Sequence, residues 1–351
     1  MSGIEKIVGH AEICICAGAG GVGKTSTSAA IALGAARRGR KTAVLTIDPA
    51  KRLANALGLE RLGNEPRRVP GVDGDGELWA MMLDAKRTFD ELVDSYAPDQ
   101  STRDAVLSNR IYQELSGAVS GSQEYMAMEK LYELHMQGNF DLLVLDTPPT
   151  RNALDFLDSP ERLHRFIDSR SLRFFLSPGV KLLGRGSGLL FAVLQRVTGI
   201  DLLRDLSDFF RAFGDMSEGF RARAERVNEL LGSKAATFVL VAAPRHDAID
   251  DAIFFHDQLE ARGMPFGGVV VNRFHDARGG KKIDLEAALG ADLAAKVETS
   301  YDDYRVLADR DRKNLRRLTE RLSGEPVIVV PELDGDVHDL EGLAQMVDHL
   351  Y

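Results

Sequence analysis

The stretch from Gly18 to Ser26 reads GAGGVGKTS, and it decides the fold. Residues 18–25 fit the pattern G-x-x-x-x-G-K-[ST], in which backbone N–H groups turn inward around a chain of phosphates. An apolar run rich in β-forming residues, AEICICAG, precedes the stretch, and KTSTSAAIALGAARRGR follows it as a helical pattern closed by Gly39. A strand, a glycine-rich loop and a helix in this order are the context that a phosphate-binding loop (P-loop) needs. The sequence therefore predicts a nucleotide site here.

The predicted P-loop gives its residues separate roles toward ATP or ADP. Lys24 is expected to reach the β- and γ-phosphates, and the hydroxyl of Thr25 is expected to coordinate Mg²⁺. The start of the following helix adds the positive end of its dipole to the same site. The residues predicted to bind the nucleotide here are Gly20, Gly21, Val22, Gly23, Lys24, Thr25 and Ser26.

Further apolar runs read as strands, and most lack polar alternation, as expected for strands covered on both faces. They are KTAVLTID (41–48), ELWAMMLD (77–84), FDLLVLD (140–146), ATFVLVAAP (236–244), FGGVVVN (266–272) and PVIVVP (326–331). Because helical patterns lie between them, we predict an α/β fold, a doubly wound and mainly parallel sheet in one P-loop ATPase domain spanning 1–351. Ligands of such sheets bind beyond the carboxyl ends of the strands, where Asp48, Asp146 and Asn272 fall.

Two of these carboxylates suit hydrolysis of a γ-phosphate. Asp48 is placed to orient a water molecule for attack, and Asp146 is placed as a Walker B acid that holds Mg²⁺ through water. Either residue alone could also be a helix cap or a turn former. Their occurrence with the P-loop favours the catalytic interpretation.

Two segments, 85–139 and 151–232, show helical patterns without a convincing strand and are predicted to form an inserted helical subdomain. The second carries apolar residues at three- and four-residue steps, in a stripe wider than one buried helix face needs. The stripe comprises Leu189, Leu190, Phe191, Val193, Leu194, Val197, Leu203, Leu206, Phe209, Phe210 and Phe213. It is typical of a helical core or a dimer contact, and a groove for an apolar protein client is the alternative.

Composition argues against two classes of partner. The net charge of −9 and the isoelectric point of about 5.5 disfavour nucleic acid and anionic lipid surfaces. No apolar stretch is long enough to span a bilayer, and no signal peptide is recognisable, so we expect a cytoplasmic protein without direct membrane insertion. Cys14 and Cys16 share one face of a strand and are expected in the core rather than in a disulfide or metal site.

Five motifs in order resemble those of the ArsA-type ATPases, a family that includes the arsenical-pump ATPase and the guided-entry ATPase for tail-anchored proteins. They are GGVGKT, TIDPAKRLANALGL, LDTPPTRNALDFL, VVVNRF and VPELDGDVHDLEGL, and the resemblance runs from residue 12 to about 345. It is weakest in the helical insert. The resemblance implies an ATPase that works as a dimer and that changes conformation with its nucleotide.

The resemblance also implies roles for residues that match the motifs. Asp48 and Pro49 lie in switch I, where Asp48 is the hydrolytic aspartate. Switch II contains Asp146, Thr147 and Pro148 and senses the γ-phosphate. The residues implied at the base of the nucleotide are Asn272, which contacts adenine, and Pro331 and Leu333, which lie in a loop that closes over it.

Two departures from the family concern cysteine. The C-x-x-C that binds zinc between subunits of the eukaryotic targeting ATPases is missing after VVVNRF, so we expect no zinc. The arsenical pump binds metalloid through cysteines and joins two ATPase halves, whereas this chain has one P-loop and two cysteines in a predicted strand. Metalloid binding is therefore not expected.

A third departure lies inside the P-loop. The family's loop begins with a lysine that crosses the dimer to the partner's phosphates, and this chain has Ala19 at that position. Nucleotide binding should survive, while hydrolysis by the isolated chain should slow, because such trans cations act like arginine fingers. Lys51, Arg52 or Arg151 could replace the lysine within the chain. Alternatively, a paralogous subunit that retains the lysine could supply it in a heterodimer; a homodimer is the other possible assembly.

Three functions are compatible with the sequence. The favoured function is an ATP-driven switch that binds or delivers apolar protein segments through its helical subdomain. The alternatives are the energising ATPase subunit of an anion transporter and a positioning ATPase of the partition type. The partition type would need a basic DNA surface or a lipid-binding helix, and the sequence shows neither.

Overall fold

The computed structural model describes residues 3–48, 52–110, 112–113, 122–148, 200–277 and 284–351. Its strands are β1 (Ile13–Ala17), β2 (Lys41–Thr46), β3 (Arg67–Arg68), β4 (Glu77–Met82), β5 (Leu142–Asp146), β6 (Ala236–Ala242), β7 (Phe266–Phe274) and β8 (Val327–Pro331). Its helices are α1 (Glu5–Val8), α2 (Lys24–Arg37), α3 (Arg52–Ala56), α4 (Ala85–Tyr96), α5 (Gln100–Leu107), α6 (Ser122–Gln137), α7 (Ile200–Leu231), α8 (His246–Ala261), α9 (Leu285–Leu289), α10 (Ala291–Arg321) and α11 (Leu340–Leu350).

The strands form one sheet in the order β3-β4-β2-β5-β1-β6-β7-β8. All neighbours pair in parallel except β3, which pairs antiparallel with β4. The predicted doubly wound, mainly parallel sheet is therefore confirmed. β1 lies between β5 and β6, and Cys16 is in register with Asp146. The loop that follows β1 thus opens at the edge of the sheet where β5 ends.

Both faces of the central strands are buried, which explains their continuous apolar sequence. On one face Cys14, Cys16 and Val144 pack in a cluster with residues of α2 and α11. Ile13 and Ile15, which point to the opposite face, are also buried. The two cysteines are free and lie in the core, as the sequence predicts.

One strand was not predicted. β3 consists of Arg67 and Arg68, both exposed, at one edge of the sheet. Two arginines give no apolar pattern, so only pairing with β4 identifies this strand. Several strand boundaries also differ from the predictions. β2, β4 and β6 each end two residues earlier than predicted, at Thr46, Met82 and Ala242, and β7 continues two residues further, to Phe274.

The chain divides into two compact units. The first comprises 1–82, 137–153 and 232–351 and contains the sheet. The second comprises 83–136 and 154–231, and its described part contains α4, α5, α7 and most of α6. The described part of the chain contains no helix whose length and hydropathy would allow it to span a lipid bilayer.

Aromatic rings form the core of the second unit. The ring of Phe220 lies 6.0 Å from that of Phe89 and 5.4 Å from that of Tyr96, and Tyr112 lies 6.5 Å from Phe209. Phe209 belongs to the predicted apolar stripe, and here it is buried in this core. The stripe residues from 189 to 197 lie outside the described residues.

A buried ion pair joins α6 to α7 within this unit. Arg223 donates from Nε to Oε1 of Glu129 at 2.7 Å, and its Nη2 contacts the same oxygen. The guanidinium also lies over the ring of Tyr132, 4.0 Å from its centroid. Oε2 of Glu129 is buried without a hydrogen-bond partner.

Candidate nucleotide-binding site

The backbone of the P-loop passes so close to two neighbouring strands that two positions favour glycine. A Cβ added to Gly18 would stand 2.1 Å from the carbonyl oxygen of Val241 in β6. Gly23 has a φ of 91°, and a Cβ there would stand 2.2 Å from the side-chain nitrogen of Asn272 in β7. Residues with a side chain rarely adopt such a φ. These two glycines therefore let the loop fold tightly against the sheet.

Lys24 begins α2, and its side chain folds back onto the loop. Its Nζ donates a hydrogen bond to the carbonyl oxygen of Ala19 at 2.7 Å, and the side chain is buried. Burial lowers the pKa of the ammonium, while the nearby carboxylates of Asp146 and Asp48 act to raise it. The loop thus holds a cation at the start of a helix, an arrangement that favours phosphate.

The carboxylate of Asp146 joins the P-loop to the ends of two strands. Its Oδ2 accepts hydrogen bonds from the hydroxyl of Thr25 at 2.7 Å and from that of Thr46 at 3.0 Å. Burial raises its pKa to about 6, against the lowering effect of these bonds and of Lys24. Its other oxygen, Oδ1, is buried and has no hydrogen-bond partner.

Asp48 continues this chain of hydrogen bonds. Its backbone N–H donates to the hydroxyl of Thr46 at 3.2 Å, so Asp48 is connected to Asp146 through one side chain. The Nη1 of Arg52 lies 3.9 Å from Oδ2 of Asp48. Because the arginine side chain is mostly exposed, this ion pair contributes little to the stability of the fold. Pro49, predicted in switch I, lies outside the described residues.

Thr147 anchors the segment that the sequence predicts to be switch II. The hydroxyl of Thr147 donates to the carbonyl oxygen of Cys16 at 2.9 Å, and its backbone N–H donates to the same oxygen at 3.3 Å. Pro148 is the last described residue of this segment, and the chain from 149 to 199 lies outside the described residues.

Asn272 fastens the P-loop from the other side. Its Nδ2 donates to the carbonyl oxygen of Val22 at 3.0 Å, and the side chain is buried. Two residues further along β7, the carbonyl oxygen of Phe274 accepts a hydrogen bond from the backbone N–H of Glu332 at 3.1 Å. This bond holds the loop after β8 against the end of β7.

These elements enclose a cavity of about 470 Å³. The predicted site residues that line it are Gly21, Gly23, Lys24, Thr25, Ser26, Asp48, Thr147, Asn272, Pro331 and Leu333. The predicted residues Gly20, Val22, Asp146 and Pro148 are described but do not line it. Asp146 instead lies behind Thr25, and Val22 accepts the bond from Asn272.

The residues fit a nucleotide with Mg²⁺. Mg²⁺ prefers oxygen ligands and usually keeps several waters, and the unpartnered Oδ1 of Asp146 beside the hydroxyl of Thr25 offers such oxygens. Lys24 and the start of α2 suit phosphates. A cavity of about 470 Å³ is within the range usual for small-molecule sites.

Comparison with known proteins decides the family. The model of the anion-transporting ATPase family, ArsA-type, matches residues 11–309. The chain belongs to this family. The match covers the P-loop, both aspartates and Asn272 of this ArsA-type ATPase, and it also covers the helical unit.

Curated relatives of this ArsA-type ATPase are ATPases. The chain is 32% identical over 337 residues to the ATPase get3 of Schizosaccharomyces pombe, a match that covers 95% of this chain and 89% of the relative. It is 24% identical over 295 residues to the ATPase get3 of Aspergillus terreus, covering 83% and 82% of the two chains. A shorter match, 32% over 152 residues, covers 42% of this chain and 44% of the ATPase ASNA1 homolog 2 of Paramecium tetraurelia. The protein hydrolyses ATP.

Several residues of the cavity of this ArsA-type ATPase were not among the predicted site residues. They are Asn55, Arg273, Glu332, Gly335, Asp336, Val337, His338 and Met346. Arg52 also lines the cavity, and the sequence predicts it only as a candidate to replace the lysine missing at Ala19. Arg273 directly follows Asn272, Glu332 lies between Pro331 and Leu333, and Gly335, Asp336, Val337 and His338 lie in the acidic loop after Leu333. For these residues, the position beside predicted residues was the available signal. Only the folded backbone shows which of these neighbours turn toward the cavity.

Proposed function

We propose that this ATPase is a nucleotide-driven switch that binds or delivers apolar protein segments through its helical unit. The observation that carries the nucleotide part is the chain of hydrogen bonds from Thr25 through Asp146 and Thr46 to Asp48. It connects the P-loop to the ends of β5 and β2, where the two switch segments begin. A change at the phosphates therefore acts on both segments together.

In this proposal each polar side chain has one task. Lys24 binds the β- and γ-phosphates, while Thr25, with Asp146 acting through water, holds Mg²⁺. Mg²⁺, when bound, neutralises charge on the phosphates. Asp48 orients the attacking water, and Asn272 with Pro331 and Leu333 surrounds the base.

The helical unit is the proposed client site. In the sequence, switch II continues from Thr147 and Pro148 into 151–232, the segment that carries the wide apolar stripe. The bonds from Thr147 to Cys16 hold Thr147, which precedes this segment in the sequence, to the strand that carries the P-loop. This connection supports transmission of the nucleotide state to the helical unit. We further propose that the protein acts as a dimer in the cytoplasm, either with itself or with a paralog.

Hydrogen exchange tests the switch. We expect the segment 151–215 to exchange differently with ADP and with a non-hydrolysable ATP analogue, each with Mg²⁺. The Lys24→Ala variant is the control and should show no difference between the two nucleotides. Identical exchange of this segment in the wild type, with both nucleotides bound, would contradict the switch.

The second candidate is an energising subunit of an anion transporter, which the description of the matching family favours. Stimulation of the ATPase separates the candidates. We expect an apolar helical peptide to raise the hydrolysis rate, and we expect arsenite and duplex DNA to leave it unchanged. Stimulation by arsenite alone would favour the transporter, and stimulation by DNA alone would favour a partition ATPase.

A further inference from the structure

Arg273 has an unusual backbone conformation. Among the described residues it is the one residue other than glycine with a positive φ, at 62°. This left-handed conformation is uncommon for side chains other than Asn, Asp and His, and strain of this kind concentrates at functional sites. Arg273 stands within β7, between Asn272 and Phe274.

The conformation changes the direction of the Arg273 side chain. In a regular strand Arg273 would point to the same face as Val269 and Val271, and both of these are fully buried. Continuing the pattern would bury a guanidinium in that core. The pairing of β7 with β8 shifts register between Val271 and Phe274, and Arg273 is exposed and lines the nucleotide cavity.

Arg273 lies in the wall of the cavity between residues that contact the P-loop and the loop after β8. Asn272 points to the P-loop, while Phe274 is in register with Pro331 and accepts the backbone bond from Glu332. Arg273 therefore lies beside the loop that begins at Pro331. Lys24 and Thr25, to which the proposal assigns the phosphates, belong to a different element, α2.

We infer that Arg273 is a specificity residue whose guanidinium packs against the face of the nucleotide base. A guanidinium is planar and stacks on aromatic rings, which a lysine ammonium does less well. The larger ring system of a purine offers it more surface than a pyrimidine. This inference rests on the proposed assignment of the cavity to the nucleotide.

Calorimetry with Arg273→Gly tests the inference. Glycine adopts a positive φ without strain, so this variant removes the guanidinium and should keep or raise the thermal midpoint of the free protein. We expect the affinity for ATP to fall about tenfold and the preference for ATP over UTP to shrink. Affinity for inorganic tripolyphosphate with Mg²⁺ should change less than about twofold, because that probe has no base to stack on.

Two further variants complete the experiment. Arg273→Lys keeps the charge and should lose most of the preference for ATP over UTP. Arg245→Ala removes an exposed arginine that does not line the cavity and should bind ATP as the wild type does.

Equal losses for ATP and tripolyphosphate in Arg273→Gly, or no loss of ATP affinity, would overturn the role at the base while leaving the cavity as the nucleotide site. A folded wild type that binds neither ATP nor tripolyphosphate would overturn both the role and the cavity.

Discussion

Lys24 and Asp48 line the same cavity, yet the proposal gives them separable tasks. Replacing Lys24 with alanine removes the cation that the P-loop holds, so we expect ATP binding to be abolished, with an affinity at least about 100-fold below that of wild type. Asp48→Asn keeps the shape of the side chain and removes the carboxylate. It should bind ATP within about twofold of wild type while hydrolysis falls about 100-fold or more. Calorimetry and a phosphate-release assay measure the two effects, and equal ATP affinity in wild type and Lys24→Ala would contradict the role of the loop.

Individual residues differ in how well the sequence predicts them. The P-loop residues can be predicted from a motif, because glycines, a lysine and a threonine at this spacing, between a strand and a helix, are specific for a phosphate-binding loop. The end of a predicted strand places Asn272 near the ligand, but its role at the base, like that of Pro331, depends on a family resemblance. Arg273 could not be predicted, because its direction follows from a positive φ within a strand and from the pairing of β7 with β8.

The ion pair between α6 and α7 gives a prediction about stability. Burial raises the pKa of Glu129, and the bond from Arg223 opposes that rise. Arg223→Met removes the opposing partner, so the pKa should rise further. A carboxyl whose pKa is raised by folding stabilises the fold at low pH and loses that contribution as the pH rises through the raised pKa. The variant should therefore be about 3 kcal/mol less stable than wild type at about pH 8, and the difference should shrink at about pH 5.

Denaturant unfolding of the nucleotide-free protein at the two pH values measures this effect. The matched control is the double variant Glu129→Gln, Arg223→Met, which carries no charge at either position. It should lie within about 1 kcal/mol of wild type and show no such pH dependence. An equal loss of stability at both pH values in Arg223→Met would assign the effect to packing on Tyr132 rather than to the unpaired carboxylate.

Elements are predicted well where burial sets the pattern. β1 and β5 are buried throughout and read as continuous apolar runs, so their existence follows from the sequence. β3 consists of two exposed arginines and is a strand only because it pairs with β4. The local sequence contains no pattern that predicts this pairing. The end of β7 at Phe274 was missed because Asn272 and Arg273 interrupt its apolar run.

Ala19 bears on the assembly of the whole molecule, because the residue that the family places at this position acts across a dimer. We expect the purified chain to hydrolyse ATP slowly, because the lysine that the family places at this position is absent. A paralog that retains the lysine should accelerate hydrolysis on mixing, and Ala19→Lys should raise the activity of the isolated chain about tenfold or more. Steady-state rates at several protein concentrations measure both effects.

Replacement within one chain is the competing explanation for hydrolysis. Arg52 is the described candidate, with its guanidinium near Asp48, while Lys51 and Arg151 lie outside the described residues. Fast hydrolysis by the isolated chain that is lost in Arg52→Ala, Lys51→Ala or Arg151→Ala, and that no partner changes, would reject the heterodimer.

The bond from Asn272 to Val22 sets an order of events during synthesis. Its two residues are 250 positions apart, so a ribosome that adds about 5–20 residues per second makes the second about 12–50 s after the first. Throughout that interval the emerging chain contains a P-loop without its buried tether or the residues around Pro331. The proposed nucleotide site is therefore complete only after β7 and β8 have joined the sheet, and the full stabilising effect of ATP on the fold begins at that point.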